Sequence, residues 1–285
     1  MTGDAQIRSS RRLRVRPARV FKHLVLILVS AVSAFPFYWM MVSATNASQD
    51  VVLGRMLPGA HLIENFQSLL VNSTPPHMLY TAFGNSVWYS LVVTLGALLV
   101  SSLAGYGFFV YHDRGKKAVL NLLLLSMMVP AAATLIPLFR MFGQLKLLNT
   151  PLGYMLPLFS TAFLIFMFYQ SAHTFPLELV SAARIDGLGE FRIFFKMFVP
   201  IMKPTYAAAA TITFMNTWNS YLWPLVVLQK PERMTMPIFI GNLQTGYVLD
   251  YGMIMLGVTI ATLPTLVIFF VLQKSFVEGI LGSLK

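Results

Sequence analysis

The chain has 285 residues, of which 56% are hydrophobic and 11% are charged, whereas a typical soluble domain carries about 25% charged residues. So few charges exclude a globular surface that faces water on all sides, and the lack of cysteine excludes disulfides, thiolate metal sites and a cysteine nucleophile. A net charge of +11 could indicate nucleic-acid binding, but the basic residues cluster between hydrophobic stretches, as membrane topology requires. The composition therefore predicts an all-α integral membrane protein.

Six apolar stretches reach the length of about 20 residues that a membrane-spanning helix needs. In chain order they cover residues 21–44, 81–111, 119–142, 151–172, 205–228 and 251–272. Their interiors lack Asp, Glu and Lys, and Arg140 lies near the end of the third, where its side chain can reach the interface. Five prolines lie within the stretches and predict kinked helices: Pro130, Pro137, Pro157, Pro224 and Pro264.

Lysine and arginine residues predict the orientation of these six helices. The tail of residues 1–22, the loops after the second and fourth stretches and the tail of residues 273–285 hold 16 of them, whereas the opposite side holds five. By the positive-inside rule, both tails are cytoplasmic. The first stretch also has the basic head of a secretory signal peptide, but its apolar run exceeds the usual length, so we expect an uncleaved anchor.

The loop of residues 176–204, between the fourth and fifth stretches, is too long for a simple connector. It mixes apolar and charged residues at near-helical spacing, with three small residues at positions 181–183. Gly187 suits a left-handed helix C-terminus. The loop is therefore predicted to form a short helix, a turn at Gly187 and an amphipathic helix that leads into the fifth span. Spacing alone leaves open whether it lies on the membrane surface or docks a partner.

The order Ser181-Ala182-Ala183, then Gly187, then Met197-Phe-Val-Pro200 resembles the Glu-Ala-Ala loop of binding-protein-dependent ABC importer permeases, with the same spacing. Ser181 stands where that motif has Glu. The similarity extends over nearly the whole chain and is greatest to the carbohydrate branch, within it to the smaller permease of maltose-type systems. The other matching residues are Pro176, Glu178, Ile185-Asp186, Asn65-Phe66, Asn85-Ser86, Trp218-Asn219, Phe276-Val277-Glu278-Gly279, Gly282 and Lys285.

This resemblance implies a type I ABC importer permease fold and a multi-pass subunit of the cytoplasmic (inner) membrane. It implies a heterodimer with a second permease, two ATPase subunits, an extracytoplasmic solute-binding protein and a sugar substrate. The chain itself is then no enzyme and binds no cofactor, because ATP and Mg are used by the partner ATPase. The residues expected to couple the chain to that ATPase are Glu178, Ser181, Ala182, Ala183, Arg184, Asp186, Gly187 and Pro200.

Other site classes find little support in the sequence. Gly115-Lys116 lacks a preceding glycine-rich loop and is followed by Lys117, so it is no phosphate-binding loop, and neither a nucleophile–base set nor metal-ligand spacing is present. Polar residues within spans line substrate pathways or join helices. The candidate pathway residues are Asn85, Gln170, Asn216 and Asn219.

Two alternative functions stay open. The solute could be something other than a sugar, such as a glycerol phosphate. A secondary transporter driven by an ion gradient is less favoured, because such proteins place ionisable residues in the middle of their spans.

Overall fold

The computed structural model describes residues 17–71, 77–111, 113, 115–244 and 249–282, and all regular secondary structure within them is helical. Most of the predicted basic tail, up to residue 16, and residues 283–285 lie outside the described residues, while residues 17–22 and 273–282 extend the first and last helices. The described α-helices are α1 Pro17–Ser43, α2 Ser48–Val52, α3 Leu62–Val71, α4 Met78–Val110, α5 Lys116–Ser126, α6 Ala131–Gln144, α7 Pro151–Met155, α8 Ala162–Ala172, α9 Leu177–Ile185, α10 Glu190–Ile193, α11 Val199–Ile201, α12 Lys203–Trp218, α13 Leu222–Val227, α14 Met236–Leu243 and α15 Tyr251–Gly282.

Three of these helices are long and apolar enough to cross a membrane without interruption. They are the segments Phe21–Ser43 of α1, Met78–Val110 of α4 and Tyr251–Gln273 of α15. They coincide with the first, second and sixth predicted stretches. Pro36 and Pro264 lie inside α1 and α15 without ending either helix.

The third and fourth predicted stretches are each divided into two helices at an angle. The chain bends by 103° between α5 and α6, and by 41° between α8 and the segment formed by α7 and its following 3₁₀ turn. Pro130 stands at the first break as the extended N-cap of α6. Its ring disfavours helical geometry in the preceding residue, Val129, which favours the end of α5 before this point. At the second break Thr161 caps α8, with its hydroxyl accepting a hydrogen bond from the Leu164 amide. Counting each bent pair as one span gives five candidate spans in the described residues.

The fifth predicted stretch is also discontinuous. α12 has 16 residues and ends at Trp218, and α13 begins only at Leu222. Sixteen helical residues extend about 24 Å, which is less than the roughly 30 Å of the hydrocarbon layer. The amide side chain of Asn219 donates to the carbonyl of Met215 at 2.8 Å, within the last turn of α12.

The core is formed where α4 packs between α8 and α12, and α12 packs in turn along α15. At Gly105 the backbones of α4 and α8 approach so closely that a Cβ atom would lie 2.6 Å from the Phe168 Cβ and 2.8 Å from the Tyr169 nitrogen. A polar side chain joins α12 to α15, since the Trp218 indole donates to the Ala261 carbonyl at 2.9 Å. This bundle is the rigid body on which the loop of residues 176–204 is mounted.

Candidate functional site

The loop of residues 176–204 begins with α9, and the residues at the two ends of α9 determine where this helix starts and stops. Pro176 has extended backbone just before the first turn, and Gly187 follows the last turn with φ of +78°. The Leu188 amide donates to the Ala183 carbonyl at 2.9 Å, and the Gly187 amide donates to the Arg184 carbonyl at 3.1 Å. These two bonds define a Schellman motif, which confirms the predicted helix and turn.

The second half of the loop differs from the single amphipathic helix that the sequence predicts. α10 passes into a π-helical segment, Phe194–Phe198, before α11. Pro200 has no amide to donate to the carbonyl four residues earlier, so regular α-helical bonding cannot continue through this point. A π-helical turn widens the helix there, which re-aims the chain toward α12.

The inner face of α9 is buried against an aromatic cluster. Val180 and Ala183 face Phe194 and Phe198 of the π-helical segment and Tyr106 near the end of α4. Ala183 is only 2% exposed. It was expected to contribute to the partner-docking surface, but the helical period turns it toward its own chain. Its small side chain instead permits the close packing of α9 on this cluster.

The outward surface of α9 consists of Glu178, Ser181, Ala182 and Ile185, which we call the outer face. The Ile185 side chain is 87% exposed, a high value for a branched apolar residue at the tip of a helix. Phe191, in the adjoining α10, is 73% exposed. Because these exposed apolar side chains lie outside the predicted spans, where lipid does not cover them, the outer face has the character of an interaction surface.

One further predicted coupling residue, Arg184, has a local partner. Arg184 donates from its Nε to the Oε1 atom of Glu190 at 2.7 Å, which bridges the Gly187 turn. This hydrogen bond holds the pKa of the Glu190 carboxyl below its usual value. The Oε2 atom is buried without a hydrogen bond of ordinary geometry among the described residues. The pair is partly exposed, so it sets the register of the turn rather than contributing much stability.

The remaining coupling residues, Asp186 and Pro200, are both exposed, Asp186 as the C-cap of α9 and Pro200 within α11. Glu190 was not among the predicted coupling residues. Its partner lies six residues away across a turn, a separation that helical spacing does not indicate. The structure thus divides the predicted set between an outer face and residues that hold the loop together.

The four candidate pathway residues are not brought together. The Asn85 amide donates to the carbonyls of Glu232 and Met234, at 2.9 and 3.0 Å, and thereby holds the turn before α14 against α4. Asn219 bonds within its own helix, and Gln170 is exposed near the end of α8. Only Asn216 lines a cavity near the interrupted spans.

That cavity is a groove of about 290 Å³ between the fourth and fifth predicted spans. Its polar lining comes from Thr161 at the start of α8 and from a stripe on α12, and its apolar lining includes Leu158 and Phe163. The stripe consists of Thr213, Asn216 and Thr217, and Ser220 extends the polar lining just beyond the end of α12. Thr213, Asn216 and Thr217 follow the i, i+3, i+4 pattern of one helix face, a signal that sequence analysis could have used.

The broken spans and the long apolar helices define a multi-pass membrane protein. Residues 97–281 match the family of binding-protein-dependent transport system inner membrane components, and the chain belongs to this family. It is 45% identical over 273 residues to the lactose transport system permease protein LacG of Rhizobium radiobacter, covering 96% of this chain and 98% of that protein.

Two further similarities are more distant. The chain is 33% identical over 262 residues to the arabinooligosaccharides transport system permease protein AraQ of Halalkalibacterium halodurans, covering 90% of this chain and 93% of that protein. A chain in the crystal structure of a bacterial ABC transporter involved in the import of the acidic polysaccharide alginate superimposes with a TM-score of 0.78. The sequence identity is 19%, and the match covers 90% of this chain and 95% of that one. The structural match confirms the fold.

A substitution at Gly187 should loosen the loop specifically. Valine at φ of +78° is strained by about 1–2 kcal/mol, although the surrounding space is open. We expect amide hydrogen exchange at Leu188 and in the last turn of α9 to become roughly five- to thirtyfold faster in Gly187→Val.

Gly189→Val is the matched control, since Gly189 also has open space but an ordinary φ of −73°. It should leave exchange in this turn unchanged. Equal exchange in the two variants would contradict the assignment of a strained left-handed turn.

Proposed function

We propose that this chain is one permease subunit of an ATP-driven ABC importer that moves a sugar, an oligosaccharide or related carbohydrate, across the membrane without changing it chemically. The observation that carries the proposal is the exposed outer face of α9, mounted through a buried inner face on the end of α4. The similarity to a lactose permease over nearly the whole chain supports the sugar substrate.

The proposed topology has six spans with both termini in the cytoplasm. The spans are α1, α4, the pair α5–α6, the pair α7–α8, the interrupted α12–α13, and α15, and they enclose the same stretches that the sequence predicts. The asymmetry of 16 basic residues against five supports this orientation. It places the loop of residues 176–204 and the tails at 1–22 and 273–285 inside, and the chain in the cytoplasmic (inner) membrane.

Two partners follow from exposed surfaces of this chain. α1 carries apolar side chains on nearly all sides and buries few of them against its own chain, which suits contact with lipid and with a second, homologous permease. The outer face of α9 suits a groove on one of the two ATPase subunits. In this arrangement ATP and Mg are used by the ATPase subunits, and an extracytoplasmic binding protein delivers the sugar.

The groove beside α12 supports a neutral, hydroxyl-rich solute. Its described lining offers hydroxyl and amide groups and apolar walls, and it includes neither lysine nor arginine. The charged phosphate of a glycerol phosphate would need a basic partner in the groove, so a sugar fits this described lining better. An ion-gradient mechanism is disfavoured because the described spans carry no ionisable acid or lysine in their interiors.

Topology is tested with a reporter enzyme that is active only outside the cytoplasm. A fusion after residue 285 should be inactive, whereas insertion of the same reporter at the exposed Gly54, in the outer loop, should be active. An active fusion at the C-terminus would overturn the proposed orientation.

Ile185→Asp should separate docking from folding. The side chain is exposed, so the variant should insert and melt like the wild type, yet it would bury an unpaired charge in the ATPase contact. We expect at least a tenfold loss of ATPase that co-purifies with the chain, and a parallel loss of sugar-stimulated ATP hydrolysis.

Ala183→Asp, two residues earlier on the buried inner face, provides the contrast. It should lower the melting temperature of the chain itself, because the charge enters the aromatic cluster. If Ile185→Asp retained normal ATPase association and stimulated turnover, the loop would not be the coupling element.

Asn216→Ala tests the groove. It removes one hydrogen-bonding group from the solute path and should change uptake of the binding protein's ligand by roughly two- to tenfold, with little effect on stability. Thermal-shift screening of the binding protein against sugars and glycerol phosphates identifies that ligand.

Asn85→Ala is the informative control, because it leaves two backbone carbonyls without their donor. Because these hydrogen bonds are exposed or part-buried, the change should cost only the net value of ordinary hydrogen bonds, about 0.5–1.5 kcal/mol of stability for each. Unchanged uptake in Asn216→Ala, together with a binding protein that prefers a phosphate ester, would favour the non-sugar alternative.

A further inference from the structure

A second cavity, of about 650 Å³, lies where α4 and α8 end and α5 begins. Its walls are aromatic and its mouth is basic, a combination distinct from the hydroxyl-lined groove beside α12. Its lining includes Phe109, Tyr111, Lys116, Lys117, Tyr169 and His173. Neither the predicted coupling residues nor the candidate pathway residues line this cavity.

The cavity lies at the level where apolar helices give way to a polar loop. Immediately beyond it, α5 exposes Val119, Leu122 and Leu125 on the surface of the chain. Tyr111 and Tyr169 line the cavity itself, and tyrosine is enriched where the hydrocarbon layer meets the headgroups. An occupant can therefore place a polar group in the cavity and a long apolar group along α5.

The two lysines of the cavity have different roles. Lys116 is committed to its own chain, since its Nζ atom donates to the carbonyls of Gly107 and Tyr111, both at 3.1 Å, and pairs with Asp113 at 3.2 Å. Lys117 is exposed and takes part in none of the ion pairs found in the described part of the chain. Among the described residues of the cavity, Lys117 thus leaves an uncompensated positive charge at the mouth.

We propose that this cavity binds the headgroup of an anionic phospholipid, with Lys117 contacting the phosphate and the acyl chains lying along the exposed face of α5. Basic pockets between membrane helices on the cytoplasmic side are suited to such headgroups. A soluble phosphate would carry the same charge but would gain nothing from the adjoining apolar face, which is why we commit to the lipid.

The same cavity is connected physically to the coupling loop. The ammonium group of Lys116 lies 4.7 Å from the centre of the Tyr111 ring, and the guanidinium carbon of Arg184 lies 5.8 Å from it. Arg184 in turn binds Glu190 across the turn that ends α9. Lipid in the cavity therefore stabilises one position of α9, a regulatory consequence that rests on the proposed function.

Lipid retention by the purified full-length chain provides the primary test. Native mass spectrometry in mixed micelles should show preferential binding of phosphatidylglycerol over phosphatidylcholine. Lys117→Gln should weaken that preference roughly fivefold, the effect typical of one basic residue near an anionic lipid surface. Lys203→Gln, an exposed lysine at the start of α12 and outside the cavity, should retain the preference.

Three results would overturn the lipid site. One is an equal loss in Lys117→Gln and Lys203→Gln, which would indicate diffuse attraction. A second is displacement of phosphatidylglycerol by millimolar inorganic phosphate or glycerol phosphate, which would indicate a soluble ligand. A third is loss of the lipid when the chain is assembled with its partners, which would make the cavity part of a subunit interface.

The regulatory consequence is measured separately, in the assembled transporter reconstituted in nanodiscs of defined composition. Sugar-stimulated ATP hydrolysis should differ between anionic and zwitterionic nanodiscs for the wild type, and Lys117→Gln should remove that difference. Lipid retention is measured without ATPase or sugar, so its failure is distinguishable from failure of the proposed function.

Discussion

The contact between the end of α4 and the loop of residues 176–204 is the interaction on which the rest of the arrangement depends. The Tyr106 ring packs edge-on against Phe194 and Phe198, with centroids 5.4 and 4.9 Å apart, and Phe175 packs on Phe198 at 5.4 Å. Each such pair contributes about 0.5–1.5 kcal/mol beyond its buried area. Since α4 also packs on α8 and α12, displacement of the loop as a rigid body moves the core of the bundle.

The interrupted helices obey the rule that free backbone groups are costly away from water. Thr150 caps α7 by accepting a hydrogen bond from the Gly153 amide at 3.0 Å, as Thr161 caps α8. Asn149 accepts bonds from the amides of Gln229 and Lys230, at 2.7 and 3.0 Å, just after α13. The ends of α7, α8 and α13 therefore have side-chain hydrogen-bond partners, and the polar groove beside α12 lies at the breaks before α8 and after α12.

Sequence reasoning succeeded where one local rule decides the conformation. The uninterrupted apolar run of α4 predicts a spanning helix, and Gly187 after α9 predicts a left-handed turn. Both predictions are confirmed. It was less successful where tertiary packing decides. The period of α9 allowed Ala183 on either face, and only the aromatic rings supplied by α4 and the π-helical segment determine that it is buried. Similarly, Asn85 looked like a pathway residue, but its acceptors lie almost 150 positions away in the chain.

The serine at the motif position changes how the outer face of α9 can present charge. The Ser181 hydroxyl donates to the Leu177 carbonyl within the helix at 3.4 Å, so it offers its partner a small surface rather than a carboxylate. Glu178 precedes it by three residues and is exposed, and side chains at this separation are neighbours on a helix surface. The negative charge nearest to position 181 on the outer face thus lies one turn closer to the start of α9. Glu178 lies in the first turn of α9, where a negative charge interacts favourably with the positive end of the helix dipole. Ser181 and Ala182 have small side chains, so the middle of the helix is free for close backbone approach.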